Sequence, residues 1–215
     1  MTGQEIIDEF YEFVDDDTMD ATRALHLANV AYDRVNAKRL WHYLDCTDSS
    51  KTIIAGTRSY ALPSDFLYTR TIKLYSSTSK FDAPLKPVPF RDRSRYEGVQ
   101  GFYYIDIKNS TLVLTYDPPT ADVGKTIYHD YAYQPAALMT STSPVFNRAF
   151  HPILVYEMAR MYWYSEQDEK DRSWNTEANN EYMIMYNDMI SWDARLDAGM
   201  EPDMNPQEAW VNLED

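Results

Sequence analysis

The chain has 215 residues, 44% hydrophobic and 25% charged, the proportions of a soluble globular protein with room for one domain and an appended subdomain. A formal charge of −14 and a pI of about 4.6 exclude a general binder of nucleic acid or anionic membrane, because most of the surface repels phosphate. The single cysteine, Cys46, allows neither an intrachain disulfide nor a zinc spacing, as for a protein made in a reducing compartment.

The elements follow in chain order. Thr2, with Glu5 three residues on, has the pattern of a capping box and predicts a helix through Ile6, Ile7 and Phe10 to about Val14. Asp15, Asp16 and Asp17 break it, and Asp20 is placed to cap a second helix over residues 21–44. Ala24, Leu27, Ala28, Ala31 and Val35 share one face of that helix. Leu40, Trp41 and Leu44 cluster on nearly the opposite face, so the helix is expected to meet two different partners.

Residues 49–138 change in texture. Strands are predicted at 51–55, 58–62, 67–75, 102–107, 111–116 and 125–133. Gly56-Thr57 and Lys108-Asn109-Ser110 supply turns, and Pro63 and Pro118-Pro119 supply stops. Six short strands joined locally predict an antiparallel sheet or a small barrel.

Helical signals return at Pro144, a suitable first helical residue after Ser143. Phe146, Ala149, Phe150, Ile153 and Met161 share a face that also carries Glu157. A final long helix is expected over residues 174–196. There Ala178, Tyr182, Met185, Met189, Trp192 and Leu196 are spaced by alternating fours and threes, a heptad-like seam for packing along another helix. Gly199 ends it, and residues 200–215, with Pro202 and Pro206, read as an extended tail. The expected fold is α+β. A bundle of two N-terminal helices (1–48) and two C-terminal helices (139–199) holds an inserted antiparallel β region (49–138), followed by the tail (200–215).

A search for chemistry finds no catalytic constellation. His129 and Asp130 alternate on a strand and point to opposite faces. His26 and His42 are sixteen residues apart, and His151 simply precedes Pro152 near a helix start. The aspartates at 15, 16, 17 and 20 lack the glycine and terminal glutamate of a calcium loop. Glu157, on an apolar face, is expected to pair with Arg34 or Arg160. Six glycines form no phosphate-binding loop, and the basic run of Arg91, Arg93 and Arg95 is interrupted by Asp92. No catalytic residue, metal ligand or cofactor is assigned.

Eighteen Tyr and five Trp suit protein–protein contacts as well as a core. In the acidic tail, Trp210, Val211 and Leu213 follow Pro202 and Pro206 and are placed to dock into a partner's pocket. Residues 1–10 carry no basic or apolar run, so no signal peptide is expected. No stretch approaches the roughly 18 apolar residues of a membrane span.

One further pattern covers nearly the whole chain. The aromatic cluster Arg39-Leu40-Trp41-His42-Tyr43 is followed by Tyr60-Ala61-Leu62-Pro63-Ser64-Asp65-Phe66, then Ile72-Lys73-Leu74. The hairpin ending at Pro118-Pro119 and the stretch from Phe150 to Tyr156 complete it. This layout resembles the head-to-tail adaptor proteins of tailed phages and is similar to the gatekeeper (tubular protein A) class of short-tailed phages. The resemblance implies a virion neck protein, assembled in the host cytoplasm as a homo-oligomeric ring, a dodecamer. Such a ring binds the portal ring above and a tail or nozzle protein below, and DNA passes through it without specific binding. It also implies that the tail from Pro202 to Asp215 reaches a neighbouring ring, with Trp210 as anchor, and that no residue is catalytic. Another virion part, such as a tail-completion protein, and a tail-associated cell-wall hydrolase are the alternative readings.

Overall fold

The computed structural model describes residues 1–15, 19–76, 80–166 and 172–197. The chain divides into two compact units, one of residues 1–43 and 135–215 and one of residues 44–134.

The first unit is helical. Helix α1 (Gly3–Val14) opens with a reciprocal capping box. The Glu5 amide donates to Thr2 Oγ1 (3.3 Å), and the Thr2 amide donates to the Glu5 carboxylate (2.8 Å). The next free amides of its first turn are met by an incoming strand of chain. Gly3 N–H donates to the Thr142 carbonyl (2.7 Å) and Gln4 N–H to the Thr140 carbonyl (3.0 Å). Gly3 is required there, because a Cβ would stand 2.3 Å from the Met139 carbonyl oxygen. Ile6, Ile7 and Phe10 form the buried face.

Helix α2 (Ala21–Ala37) is capped by Asp20, which accepts from the amides of Thr22 (3.1 Å) and Arg23 (3.2 Å). It ends seven residues short of the predicted Leu44. The reason is Trp41, whose indole N–H donates to the Val35 carbonyl (2.9 Å) and satisfies part of the helix terminus. The ring is fully buried, stacked on Tyr43 and edge-on to Tyr186. The predicted change of apolar face is therefore a reversal of the chain. His42–Leu44 forms a 3-10 turn, and Leu40 is left exposed.

Helix α3 (Pro152–Glu166) begins eight residues later than Pro144 suggests. The intervening chain holds a 3-10 turn, Arg148–Phe150, capped by the Asn147 side chain on the Ala149 amide (3.0 Å). Ile153, Leu154, Val155, Met158 and Ala159 of α3 are buried. Helix α4 (Arg172–Asp197) packs along α3.

The second unit is built of strands with short 3-10 helices between some of them. Its strands are β1 (Asp45–Thr52), β2 (Ser59–Ala61), β3 (Phe66–Ser76), β4 (Lys80–Phe81), β5 (Lys86–Pro87), β6 (Phe102–Asp106), β7 (Thr111–Leu114) and β8 (Thr126–Tyr133). They make two four-stranded sheets, ordered β1-β8-β3-β4 and β2-β7-β6-β5. The expectation of one inserted antiparallel region is thus corrected in two respects. There are two separate sheets, and β5 runs parallel to β6, pairing Lys86 with Phe102 and Pro87 with Tyr103. A parallel pair needs a crossover, which residues 88–101 supply with the 3-10 helix Phe90–Tyr96. Proline hides β5 in the sequence, yet Pro87 is tolerated because β5 is an edge strand.

The sheets share one core. Ile72, Leu74 and Ile127 from the first meet Tyr60, Tyr103, Leu112 and Leu114 from the second, together with Ile53, Leu85 and Tyr116. The entry strand β1 lies directly beside the exit strand β8, with Asp45 opposite Ala132 and Cys46 opposite Tyr131.

Candidate functional site

The titratable groups singled out in the sequence occupy structural positions. Glu157, nearly buried on α3, engages both candidate arginines, Arg160 Nη1 at 2.6 Å and Arg34 Nη1 at 3.4 Å. The three line an open cavity of about 540 Å³ with Met161, Asn175 and Asn179. His129 is buried in β8 against Thr69 Oγ1 (3.0 Å), and desolvation pushes its pKa down to about 4. His151 bonds the Met1 amino group (2.8 Å) and the Phe146 carbonyl (3.0 Å), and burial likewise lowers its pKa. His26 is exposed. Among the described residues no group of three or more His, Cys, Asp or Glu could hold a metal ion, and no helix is long and apolar enough to cross a membrane.

The sequence pattern did not reveal the clamp that closes the helical unit. Asp193 of α4 is fully buried. Its Oδ1 accepts the His42 backbone N–H (2.7 Å), and its Oδ2 lies 3.0 Å from His42 Nδ1 and 3.6 Å from Arg39 Nη2. One carboxylate thereby ties the reversal after α2 to the far end of α4. Its only signal in the sequence is the pair Arg39 and His42, which the expected long helix had disguised.

The seam residues of α4 are placed as follows. Ala178, Tyr182 and Met189 are fully buried, whereas Met185, Trp192 and Leu196 are half-buried. Trp192 meets Tyr43 and Phe150, and Tyr182 stacks on Tyr186. Lys38 Nζ sits 4.3 Å and the Arg160 guanidinium 4.5 Å from the Tyr182 ring centroid. Burial raises the pKa of the Tyr182 phenol and lowers that of the Lys38 ammonium. The tail residues Pro202, Pro206, Trp210, Val211 and Leu213 lie outside the described residues.

What the molecule offers a partner is surface. Residues 44–134 contain eleven Lys or Arg and ten Asp or Glu, a net charge of +1. The helical unit and the tail hold the remaining nine basic and twenty-four acidic residues, a net charge of −15. The acidity of the chain therefore belongs to one unit alone.

On the other unit lies an apolar groove of about 290 Å³ between β3 and the β5–β6 edge. Leu67, Tyr68, Phe90 and Ile107 line it and remain 46 to 68% exposed. Arginines stand beside it. The Arg93 guanidinium covers Phe90 at 4.0 Å, Arg91 and Arg95 are exposed on the same 3-10 helix, where Arg91 pairs with Asp92 (3.6 Å), and Arg70, in the lining, pairs with Asp45 (2.8 Å). An apolar floor with a charged rim is the anatomy of a protein–protein contact.

Comparison with known proteins agrees with a structural role. No curated protein matches the sequence. The family model described as SU10 adaptor protein matches residues 1–205. The chain belongs to the SU10 adaptor protein family, and is accordingly a structural adaptor of a bacteriophage virion rather than a member of a known enzyme family.

Proposed function

We propose that the chain is the head-to-tail connector of a tailed phage. Copies form a ring, twelve in number, that docks on the portal and joins it to the tail or nozzle protein. The family membership carries this reading, and the segregation of charge supports it. A conduit must let DNA slide, and a wall drawn from the −15 unit disfavours every phosphate contact that would hold it. The nearly neutral β unit, with its apolar groove, is suited to contact protein. Trp210, Val211 and Leu213 of the tail, spaced by Pro202 and Pro206, dock on the portal. The ring holds no chemistry; it works by assembly and by gating the passage of DNA at ejection.

Light scattering of the purified chain, alone and mixed with the portal ring of the same virus, tests the reading. The expected result is a complex of one portal with many 25.1 kDa copies. Truncation after Gly199 is expected to weaken that complex while far-UV circular dichroism stays unchanged. Absence of any complex over a range of salt would remove portal docking.

A further inference from the structure

Helix α4 has a second stripe besides its buried one. Glu177, Glu181, Ile184 and Asp188 follow one another at intervals of four, three and four, so they share a face. Ile184 is 53% exposed, on a helix whose core side is already filled by Ala178, Tyr182 and Met189. The stripe is thus an apolar centre between carboxylates, on the acidic unit. The groove of the β unit is an apolar floor between guanidinium groups, on the unit that carries no net negative charge.

We infer that the α4 stripe of one copy seats in the Leu67–Tyr68–Phe90–Ile107 groove of a second copy. Ile184 covers the groove floor, and Glu177, Glu181 and Asp188 face Arg91, Arg93 and Arg95 beside Phe90. The match is made twice, in apolar area and in charge sign, which sets register as well as affinity. It is a helix laid into a groove, and the four stripe residues keep the three- and four-residue spacing of a single helix face. Helix α1 fits less well. Its exposed positions include Glu5, Asp8, Glu9 and Glu12 but no apolar residue.

The two surfaces are different parts of the same chain, so the contact is heterologous. Each copy offers one groove and one stripe, and repetition generates a ring when the rotation closes. The inference rests on the ring reading for closure and names the surfaces that make it.

Two single variants of the full chain test the contact, Ile107→Asp in the groove and Ile184→Asp on the stripe. Both positions are exposed, so folding should be retained and is checked by circular dichroism. A carboxylate forced into the apolar contact weakens association on the order of 100-fold. By light scattering, each variant alone should stay at the 25.1 kDa chain mass under conditions where the wild type is multimeric, free or on the portal. An equimolar mixture should give pairs and nothing larger, because one variant keeps only its stripe and the other only its groove. Wild-type behaviour of either variant, or a mixture that stays monomeric, overturns the contact while leaving the ring reading intact. In particular, a response of Ile107→Asp without one of Ile184→Asp would mean that something other than α4 fills the groove. A wild type that is monomeric alone and does not gather on the portal overturns the contact and the ring together.

Discussion

Replacing Asp193 tests how the helical unit is held closed. Its Oδ1 accepts the His42 amide at 2.7 Å and its Oδ2 faces His42 Nδ1 at 3.0 Å, with no exposure of the carboxylate itself. A hydrogen bond to a charged group contributes roughly 1.5–3 kcal/mol. The pairing with Arg39, at 3.6 Å and with that side chain 32% exposed, adds less than about 1 kcal/mol. Asp193→Ala removes these contacts and leaves the His42 amide without its acceptor, so a loss of about 3–4 kcal/mol is expected. Asp193→Asn keeps an oxygen for the amide and sets its NH2 against a ring nitrogen able to change tautomer, so the loss should be about 1 kcal/mol. Urea unfolding followed at 222 nm reads the difference. With a slope of roughly 2 kcal/mol/M, the Ala variant should unfold about 1.5–2 M earlier and the Asn variant about 0.5 M earlier. A shift for Asp193→Ala within roughly 0.25 M of wild type, or equal shifts for both variants, would show that the clamp does not hold the turn.

Other outcomes follow from the same geometry. Gly3→Ala drives a Cβ against the Met139 carbonyl and should disturb both backbone bonds at the start of α1, lowering stability by roughly 1–3 kcal/mol in thermal melts. Unchanged melting would mean that residues 139–142 move aside at no cost. Asp20→Ala should cost about 1 kcal/mol, and Asp20→Asn much less, since either Asp or Asn can accept from the Thr22 and Arg23 amides. His129 is held neutral when folded, with a pKa of about 4 against an ordinary 6.5, so the unfolded chain binds the extra proton between those values. Stability from this group is present above pH 6.5 and is lost, by up to about 1.4 kcal/mol per pH unit, as pH falls toward 4. His129→Gln should flatten that slope in urea titrations at pH 4.5 to 6.5; an unaltered slope would assign the acid sensitivity elsewhere.

Local signals in the sequence are legible where one residue controls one bond. Thr2 with Glu5, and Asp20, mark the helix starts that the structure shows. β8 and the hairpin of β6 and β7 follow their alternating patterns. Tertiary contacts overrode the pattern elsewhere. Residues 38–44 look like more helix until Trp41 folds back onto the Val35 carbonyl. A strand is expected at 51–55, but β1 covers the polar stretch Asp45–Thr52 instead, because β8 pairs with it on either side of a bulge between Asp48 and Lys51. The division into two sheets, with a parallel edge pair, depends on pairings between distant segments that no local pattern records. The candidate surface was hidden for the same reason. Leu67, Phe90 and Ile107 come together only when β3 meets the β5–β6 edge, and Ile184 reads as an ordinary apolar residue until its neighbours are seen to be solvent-facing.

The pairing of β1 with β8 has a consequence for how such a chain can change over time. Because Asp45 lies opposite Ala132, the β unit leaves and re-enters the helical unit through neighbouring strands. The two connections are therefore closed by the cassette itself, and the bundle experiences a 91-residue insertion much as it would a tight hairpin. A cassette attached in this way can be lengthened, exchanged for another, or replaced by a few linking residues with little strain on the helices. One helical scaffold could thus carry different β units.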